Sequence, residues 1–580
     1  MDYPRPQFQR DSWQSLNGSW DYSFNQTQDS SDLSWDGKIT VPYPPEAKLS
    51  GVHDESYHSV IWYQRSFSVP KDWQGKRVLL HFGAVDYRAR VWVNGQLVVT
   101  HEGGHTPFHA DITGVLVDGE QTVTVRAEDD PHDLSQPRGK QEWQEKPHGI
   151  WYPRTTGIWQ TVWLEPVSDT HLKSIRMTPQ FSDHGNSISC RFDINRYPAT
   201  GEDLTLEVTF TSGELTLAND TFKLSLPKLE RNIGLAMNGF EEWRQFMWSP
   251  EHPNLIDVKL TLKQGDEVLD EVSSYTALRV VEAREGKFFL NRRPYYLRLA
   301  LDQGYWEESL LAAPDSEALK KDVELAKAMG FNGVRKHQKI EDPRFLYWAD
   351  KLGLLVWEEM PSAYHFTPES IGRLTREWLE VIERDYNHPC IVTWVCFNES
   401  WGVSDLAHSG MQRDLVAGLY HLTKSLDSSR PVVGNDGWEH VLSDLLTLHD
   451  YQRDADVLAE RYGSEEASED TSFNVLLHHG RVNILDSSPI AEEPVILSEF
   501  GGIRYNPEPG EAGWGYQEAD SPEKLLEVYA AMIKAISGGL AGFCYTQLTD
   551  TFQEQNGLLY MDRSPKVLLE DLAKATREGR

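Results

Sequence analysis

At 580 residues, with 39% hydrophobic and 25% charged side chains, the chain exceeds one ordinary core and predicts three or four folded units of about 100 to 200 residues each, which excludes wholesale disorder. Its 89 acidic residues outnumber 56 basic ones, and the formal net charge of −33 disfavours nucleic acid and anionic membranes, leaving a neutral small molecule as the expected partner. No run approaches the roughly 18 apolar residues of a membrane span, "MDYPRPQFQRDSW" lacks a basic-then-apolar leader, and a cytoplasmic location is expected.

Residues 1–167 carry short alternating segments, as in "RVLLHFGAVDYRARVWVNGQLVVTHEGGH", where Asn94 and Gly95 between two strand-like runs predict a hairpin in an all-β sandwich. Tryptophans here, including Trp20, Trp62, Trp92, Trp151, Trp159 and Trp163, are expected to fill the core rather than stack on a ligand. Residues 168–281 alternate again in "DLTLEVTFTS" and "LIDVKLTLKQ" and hold no cluster of reactive side chains, which predicts an immunoglobulin-like spacer.

From residue 282 the pattern changes. "APDSEALKKDVELAKAMG" predicts a helix capped by Asp315 or Ser316, and "EDPRFLYWADKLG" predicts another with Pro343 in its first turn and Gly353 at its end. Strand-like runs such as "LLVWEEM", "IVTWVCFNES", "VILSEFGG" and "GFCYTQL" alternate with helices through residue 580. Nearly continuous apolar strands with covering helices predict a parallel (β/α)8 TIM barrel, typically about 250 residues long. Polar residues gather at the strand ends: Arg335, His337, Glu358, Glu359, Asn398, Glu399, Asn435, Asp436, His449 to Tyr451, Glu499, Tyr545 and Gln547. Strand C-termini are where such barrels place their chemistry.

Cys190, Cys390, Cys396 and Cys544 are scattered and read as small buried hydrophobes. There is no "HExxH" and no paired "CxxC", and the adjacent His478 and His479 read as ordinary loop histidines. Gly114 and Gly119 have phosphate-loop spacing, but Glu120 stands where the Lys belongs. Neither a metal nor another cofactor is expected. Glu399 and Glu499, each following a buried strand, are the pair able to split a glycosidic bond, one as acid and one as nucleophile.

These motifs resemble glycoside hydrolase family 2, which includes β-galactosidases, β-glucuronidases and β-mannosidases. "RDYNHPCIVTWVCFNES" is similar to its acid/base segment and "PVILSEFGG" to its nucleophile segment; "VDYRARVWVNGQLVVTHEGGHTPFHADIT" and "GIWYPRTTGIWQTVWLEP" resemble its sugar-binding jelly roll. The resemblance implies a jelly-roll β-sandwich, an immunoglobulin-like β-sandwich and a catalytic barrel, with Glu399 as acid/base and Glu499 as nucleophile. It further implies that Asn398 binds the hydroxyl beside the anomeric carbon, and that Tyr451 and Arg335 support Glu499. His337, His365, Asp302, Gln303, Tyr545 and Gln547 are expected to line the sugar pocket. Glu399 is expected to have a raised pKa so that it starts protonated.

The implied partner is a carbohydrate, and pairing into a homo-oligomer through the non-catalytic domains is plausible on the same resemblance. Where large galactosidases carry a magnesium-binding Glu, this chain has Ala363; where glucuronidases carry a carboxylate-gripping Lys, it has Leu558, although Asn556 remains and Arg563 and Lys566 are close in sequence. The missing Lys makes a neutral sugar the expectation, with a β-D-galactoside first on the family's frequency alone. A glucuronide, arabinoside, xyloside or mannoside follows, and a catalytically inactive carbohydrate-binding protein is the alternative of another class.

Overall fold

The computed structural model describes residues 2–28, 33–182, 185–197, 199, 201–237, 243–464, 480–485, 493–506 and 513–578; His478 and His479 lie outside the described residues. A six-stranded antiparallel sheet, containing Gly18–Ser23, Val60–Ser68, Arg88–Val93 and Glu120–Glu128, faces a four-stranded sheet containing Arg77–Phe82 and Val162–Val167. The predicted hairpin joins Arg88–Val93 to Gln96–Glu102. Asn94 (φ 49°) and Gly95 (φ 77°) both take the left-handed backbone that such a two-residue turn requires. Trp20, Trp62, Trp159 and Trp163 are buried, whereas Trp151 stands at the mouth of the barrel.

A second sandwich follows, with strands Leu172–Ser182, Gly185–Ile194 and Lys228–Gly234 against Leu204–Ser212, Leu215–Lys223, Ile256–Gln264 and Glu267–Thr276. Its core comes from the alternation read in the sequence: Leu204, Leu206, Val208 and Phe210 all point inward.

The third unit is a parallel barrel of β1 (Leu297–Asp302), β2 (Gly333–Lys336), β3 (Leu355–Glu359), β4 (Ile391–Val395), β5 (Val432–Val433), β6 (Leu446–His449), β7 (Val495–Gly501) and β8 (Gly542–Thr546). The ladder runs β5-β4-β3-β2-β1-β8-β7-β6, and the bond from Asp444 N to Val432 O contributes at the seam beside β5. Every residue of β2, β3 and β4 is buried, and each buried Ile or Val adds about 1.5–3 kcal/mol relative to exposure. Helix α1 (Ser316–Ala328) is capped by Asp315, whose side chain accepts from Ala318 N; α2 (Pro343–Leu352) starts on Pro343 and ends at Gly353 (φ 78°). Helix α3 (Pro368–Asp385) carries a capping box at Thr367 and Ser370. All four cysteines are buried and unpaired. No helix is long and apolar enough to cross a membrane among the described residues.

The first sandwich reaches over the barrel mouth. Arg138 N and Gly139 N both donate to Ser362 O at 3.1 Å, and Tyr364 N donates to Leu134 O at 2.8 Å. A Cβ on Gly139 (φ 59°) would lie 2.2 Å from Gln338 O, so only glycine lets this loop press onto the strand ends.

Candidate active site

The carboxylates arrive from two strands on opposite sides of the barrel. Glu399 lies just past β4, in a left-handed conformation (φ 53°) shared by Ser400 (φ 59°). Such backbone costs of order 1–3 kcal/mol and persists because it is held from outside. Glu399 N donates to Asp436 O at 2.9 Å and Ser400 N to Asn435 Oδ1 at 3.0 Å. Glu499 sits within β7, its side chain 7% exposed. Each offers an oxygen, and these lie within 4.8 Å of one another and of a His449 ring nitrogen.

Arg335, at the end of β2, organises the floor. Its Nη1 donates to Glu499 Oε1 at 3.0 Å and lies 2.6 Å from Asp436 Oδ2; Nε donates to Glu359 Oε2 at 2.7 Å and Nη2 to Asn398 Oδ1 at 2.7 Å. Burial alone would weaken its charge, but Asp436, Glu359 and Glu499 together raise its pKa well above the ordinary value. Burial pushes the Glu359 carboxyl up to about 7, with Arg335 pulling it down and Asp436 adding to the rise. Tyr451 donates to Glu499 Oε2 at 2.7 Å and its ring stacks on Tyr516 at 3.5 Å. Asn398 Nδ2 is buried without a partner among the described residues, in a position to donate to a ligand hydroxyl.

His449, at the end of β6, bridges the carboxylates. Its Nδ1 lies 2.8 Å from Glu399 Oε1, and Nε2 lies 2.8 Å from Asp436 Oδ2 and 3.5 Å from Glu499 Oε1. Burial disfavours its charge, yet Glu499, Asp436 and Glu399 outweigh that and raise the imidazole to about 10. This corrects the expected state of Glu399. Burial raises its pKa, but the His449 hydrogen bond and charge, helped by Lys140, outweigh burial and hold it at about 2. The Glu399–His449 contact thus favours the charged imidazole beside an ionised carboxylate. The trio Glu399, His449 and Glu499 has metal-site spacing, but both imidazole nitrogens are engaged by carboxylates, an arrangement suited to holding protons.

Other expected pocket residues divide. His337 Nδ1 lies 3.0 Å from Glu359 Oε1, and burial, Lys140 and Arg335 keep its imidazole neutral. Gln547 Nε2 donates to Asn556 Oδ1 at 2.7 Å. Four others do not join this network among the described residues. Asp302 is engaged by Lys336 at 2.8 Å in an ion cluster that includes Glu341 and Lys339. Tyr545 turns its ring toward Phe500 and Tyr529 and accepts from Ile503 N, so it packs the barrel wall. His365 is exposed, with its backbone fixed to Leu134 O. Gln303 is buried with Oε1 unpartnered.

Sequence reasoning placed His449, Asp436 and Glu359 among the strand-end polar residues but gave none of them an individual role. It also missed Trp401, whose Nε1 donates to Glu399 Oε2 at 3.3 Å, and the rings of Trp151 and Tyr364 that stand 5.5 and 5.3 Å from it. Glu554 was missed too: its Oε2 accepts from the Tyr152 hydroxyl at 2.5 Å and its Oε1 from Asn556 Nδ2 at 3.0 Å.

Models of glycosyl hydrolases family 2 match three successive stretches: the sugar binding domain at residues 38–130, the family 2 domain at 170–279 and the TIM barrel domain at 281–510. A protein named β-galactosidase from Thermoanaerobacter pseudethanolicus is 30% identical over 453 residues, covering 75% of this chain and 58% of that protein. A putative β-glucuronidase from Formosa agariphila is 27% identical over 448 residues, covering 74% of this chain and 51% of the relative. The chain thus spans between half and three-fifths of these relatives. Among solved structures, a β-glucuronidase from Ruminococcus gnavus in complex with D-glucuronic acid superposes with a TM-score of 0.78 at 19% identity, covering 100% of this chain and 99% of the other. A β-galacturonidase from Eisenbergiella tayi bound to glycerol gives 0.75 at 20% identity, covering 99% and 98%. At such identities the superpositions establish the fold alone.

Proposed function

The chain belongs to glycoside hydrolase family 2, and from that premise we propose that it is a retaining, exo-acting β-glycosidase for a terminal neutral sugar, a β-D-galactoside first, with Glu499 as nucleophile and Glu399 as acid/base. The observation that carries this reading is the separation of the two carboxylates, whose oxygens approach within 4.8 Å. Retaining enzymes use about 5–5.5 Å, whereas inverting ones need about 6.5–9.5 Å to admit a water.

In the first step Glu499, oriented by Arg335 and Tyr451, attacks the anomeric carbon while the leaving oxygen takes a proton from Glu399. That proton reaches Glu399 along the 2.8 Å contact from His449, so the departing group draws on the pair rather than on an isolated acid. The unpartnered Asn398 Nδ2 donates to the neighbouring sugar hydroxyl. In the second step Glu399 takes a proton from water, which attacks the glycosyl ester of Glu499.

The preference for a neutral sugar rests on where the cations are engaged. Leu558 is fully buried, Lys566 is paired with Asp550 at 2.7 Å, and Arg563 is held by Asp322 at 3.0 and 3.1 Å. Both functional atoms of Asn556 are engaged, one by Glu554, whose carboxylate would repel a uronate here. One observation favours a uronide instead: Lys140 acts electrostatically on Glu399, His337 and Glu554 and forms no ion pair among the described residues.

Initial rates on p-nitrophenyl β-D-galactoside, glucoside, xyloside, mannoside, glucuronide and galacturonide, with the α-L-arabinoside, test the reading. The galactoside is expected to lead in kcat/KM by about 10-fold or more, the scale of a few contacts around one hydroxyl. A leading uronide would transfer the assignment to the Lys140 reading. Release from none of them would favour the binding-protein alternative.

A further inference from the structure

The strand N-termini, at the face opposite the carboxylates, meet the second sandwich across a small cleft of about 20 Å³ whose lining includes Thr178, Thr276, Arg279, Tyr386, Ser429 and Arg430. Arg279 is 8% exposed, its Nε and Nη1 are buried without any hydrogen-bond partner, and it forms no ion pair among the described residues. The neighbouring Arg430 is the contrast. Its Nε donates to Ile391 O at 2.7 Å, Nη1 to Asp427 Oδ2 at 2.6 Å, and Nη2 to the carbonyls of Tyr386 and His388, both at 2.8 Å. Asp427 also accepts from Trp394 Nε1 at 2.9 Å and from the Ser429 hydroxyl at 2.6 Å, so it is committed elsewhere. Arg176 lies outside the cleft lining, stacked 3.6 Å over the Tyr386 ring and donating to Leu426 O.

In a chain with 33 excess negative charges, two buried guanidinium nitrogens at this domain boundary thus have no acceptor among the described residues. Burying a cation is costly unless an anion or hydrogen-bond acceptors compensate it. We infer that this cleft binds a small oxyanion of the phosphate class through Arg279, joining the second sandwich to the underside of the barrel. Burial and the charge of Arg430 push the Arg279 pKa down to about 9, against the opposing pull of Asp427 and Asp350, which fits a cation whose nearby anions do not fully compensate it. The ligand binds the folded chain and stabilises it by mass action, with no part in the sugar chemistry.

Thermal unfolding of the full chain in inorganic phosphate, from none to about 20 mM at ionic strength matched with potassium chloride, tests this. Tm is expected to rise by about 2–4 °C for wild type, and not for Arg279→Met. Should Arg279→Met fail to fold, Arg279→Gln carries the same comparison. Calorimetric titration of phosphate should read one site per chain in wild type and none in the variant, with aryl glycoside turnover unaltered by phosphate. An equal rise in the variants, an equal rise with chloride alone, no rise at all, or phosphate heat lost when a competitive sugar inhibitor fills the barrel mouth would each overturn the assignment.

Discussion

Glu499→Gln is expected to lower kcat/KM on p-nitrophenyl β-D-galactoside by about 10⁴-fold or more, the scale seen when a covalent nucleophile is removed. Gln preserves the side-chain shape and still accepts from the Tyr451 hydroxyl. Arg335 retains Glu359 and Asp436 as counter-charges, so the floor stays neutralised and the fold should survive. The loss is therefore chemical, and an unchanged circular dichroism melt separates it from unfolding. A smaller residue at the same place opens room for azide. Glu499→Ala with azide should form the α-glycosyl azide, because the external anion attacks the face that Glu499 vacates. A loss below about 10-fold in Glu499→Gln would remove it from the nucleophile role.

His449→Asn is expected to move the alkaline limb of the pH profile of kcat/KM toward acid by about 2 units or more and to lower the rate at pH near 8 by about 10²-fold on alkyl glycosides. The sign follows from the proton count. In wild type the Glu399–His449 pair holds its acid proton up to the imidazole pKa of about 10, raised against burial by Glu499, Asp436 and Glu399. Asn holds no such proton. Glu399 must then be protonated alone, and a carboxyl loses its proton at lower pH than that imidazolium. Aryl glycosides with good leaving groups need little acid assistance and should show a much smaller fall. An alkaline limb unmoved by the substitution would mean that His449 positions Glu399 without supplying its proton.

The barrel was legible because its strands are almost unbroken apolar runs and its helices carry local start and stop signals, including Asp315, Pro343 and Gly353. Glu399 and Glu499 stood out as charges ending buried strands. Their electrostatics did not, because sequence shows burial but not partners. Burial alone argued for a raised Glu399, while His449 from another strand reverses the direction. Tyr545 and Asp302 show the same limit: a strand-end position does not say whether a side chain faces the pocket, the Tyr529 side of the wall or an ion cluster. Tyr152, Lys140 and Trp151 were hidden for another reason. They belong to the first sandwich, and only the crossing of the loop around Gly139 over Ser362 brings them to residues hundreds of positions away.

The most direct test of the double-displacement mechanism is to trap its intermediate with a 2-deoxy-2-fluoro-β-D-galactosyl fluoride and sequence the labelled peptide by mass spectrometry. If the panel assigns another sugar, the matching fluorosugar replaces it. The account predicts one fluorosugar per chain, attached through an ester to Glu499 in the peptide spanning "PVILSEFGG". A label on Glu399 or any other residue, or turnover of the panel's preferred substrate with inversion and no covalent adduct, would contradict it.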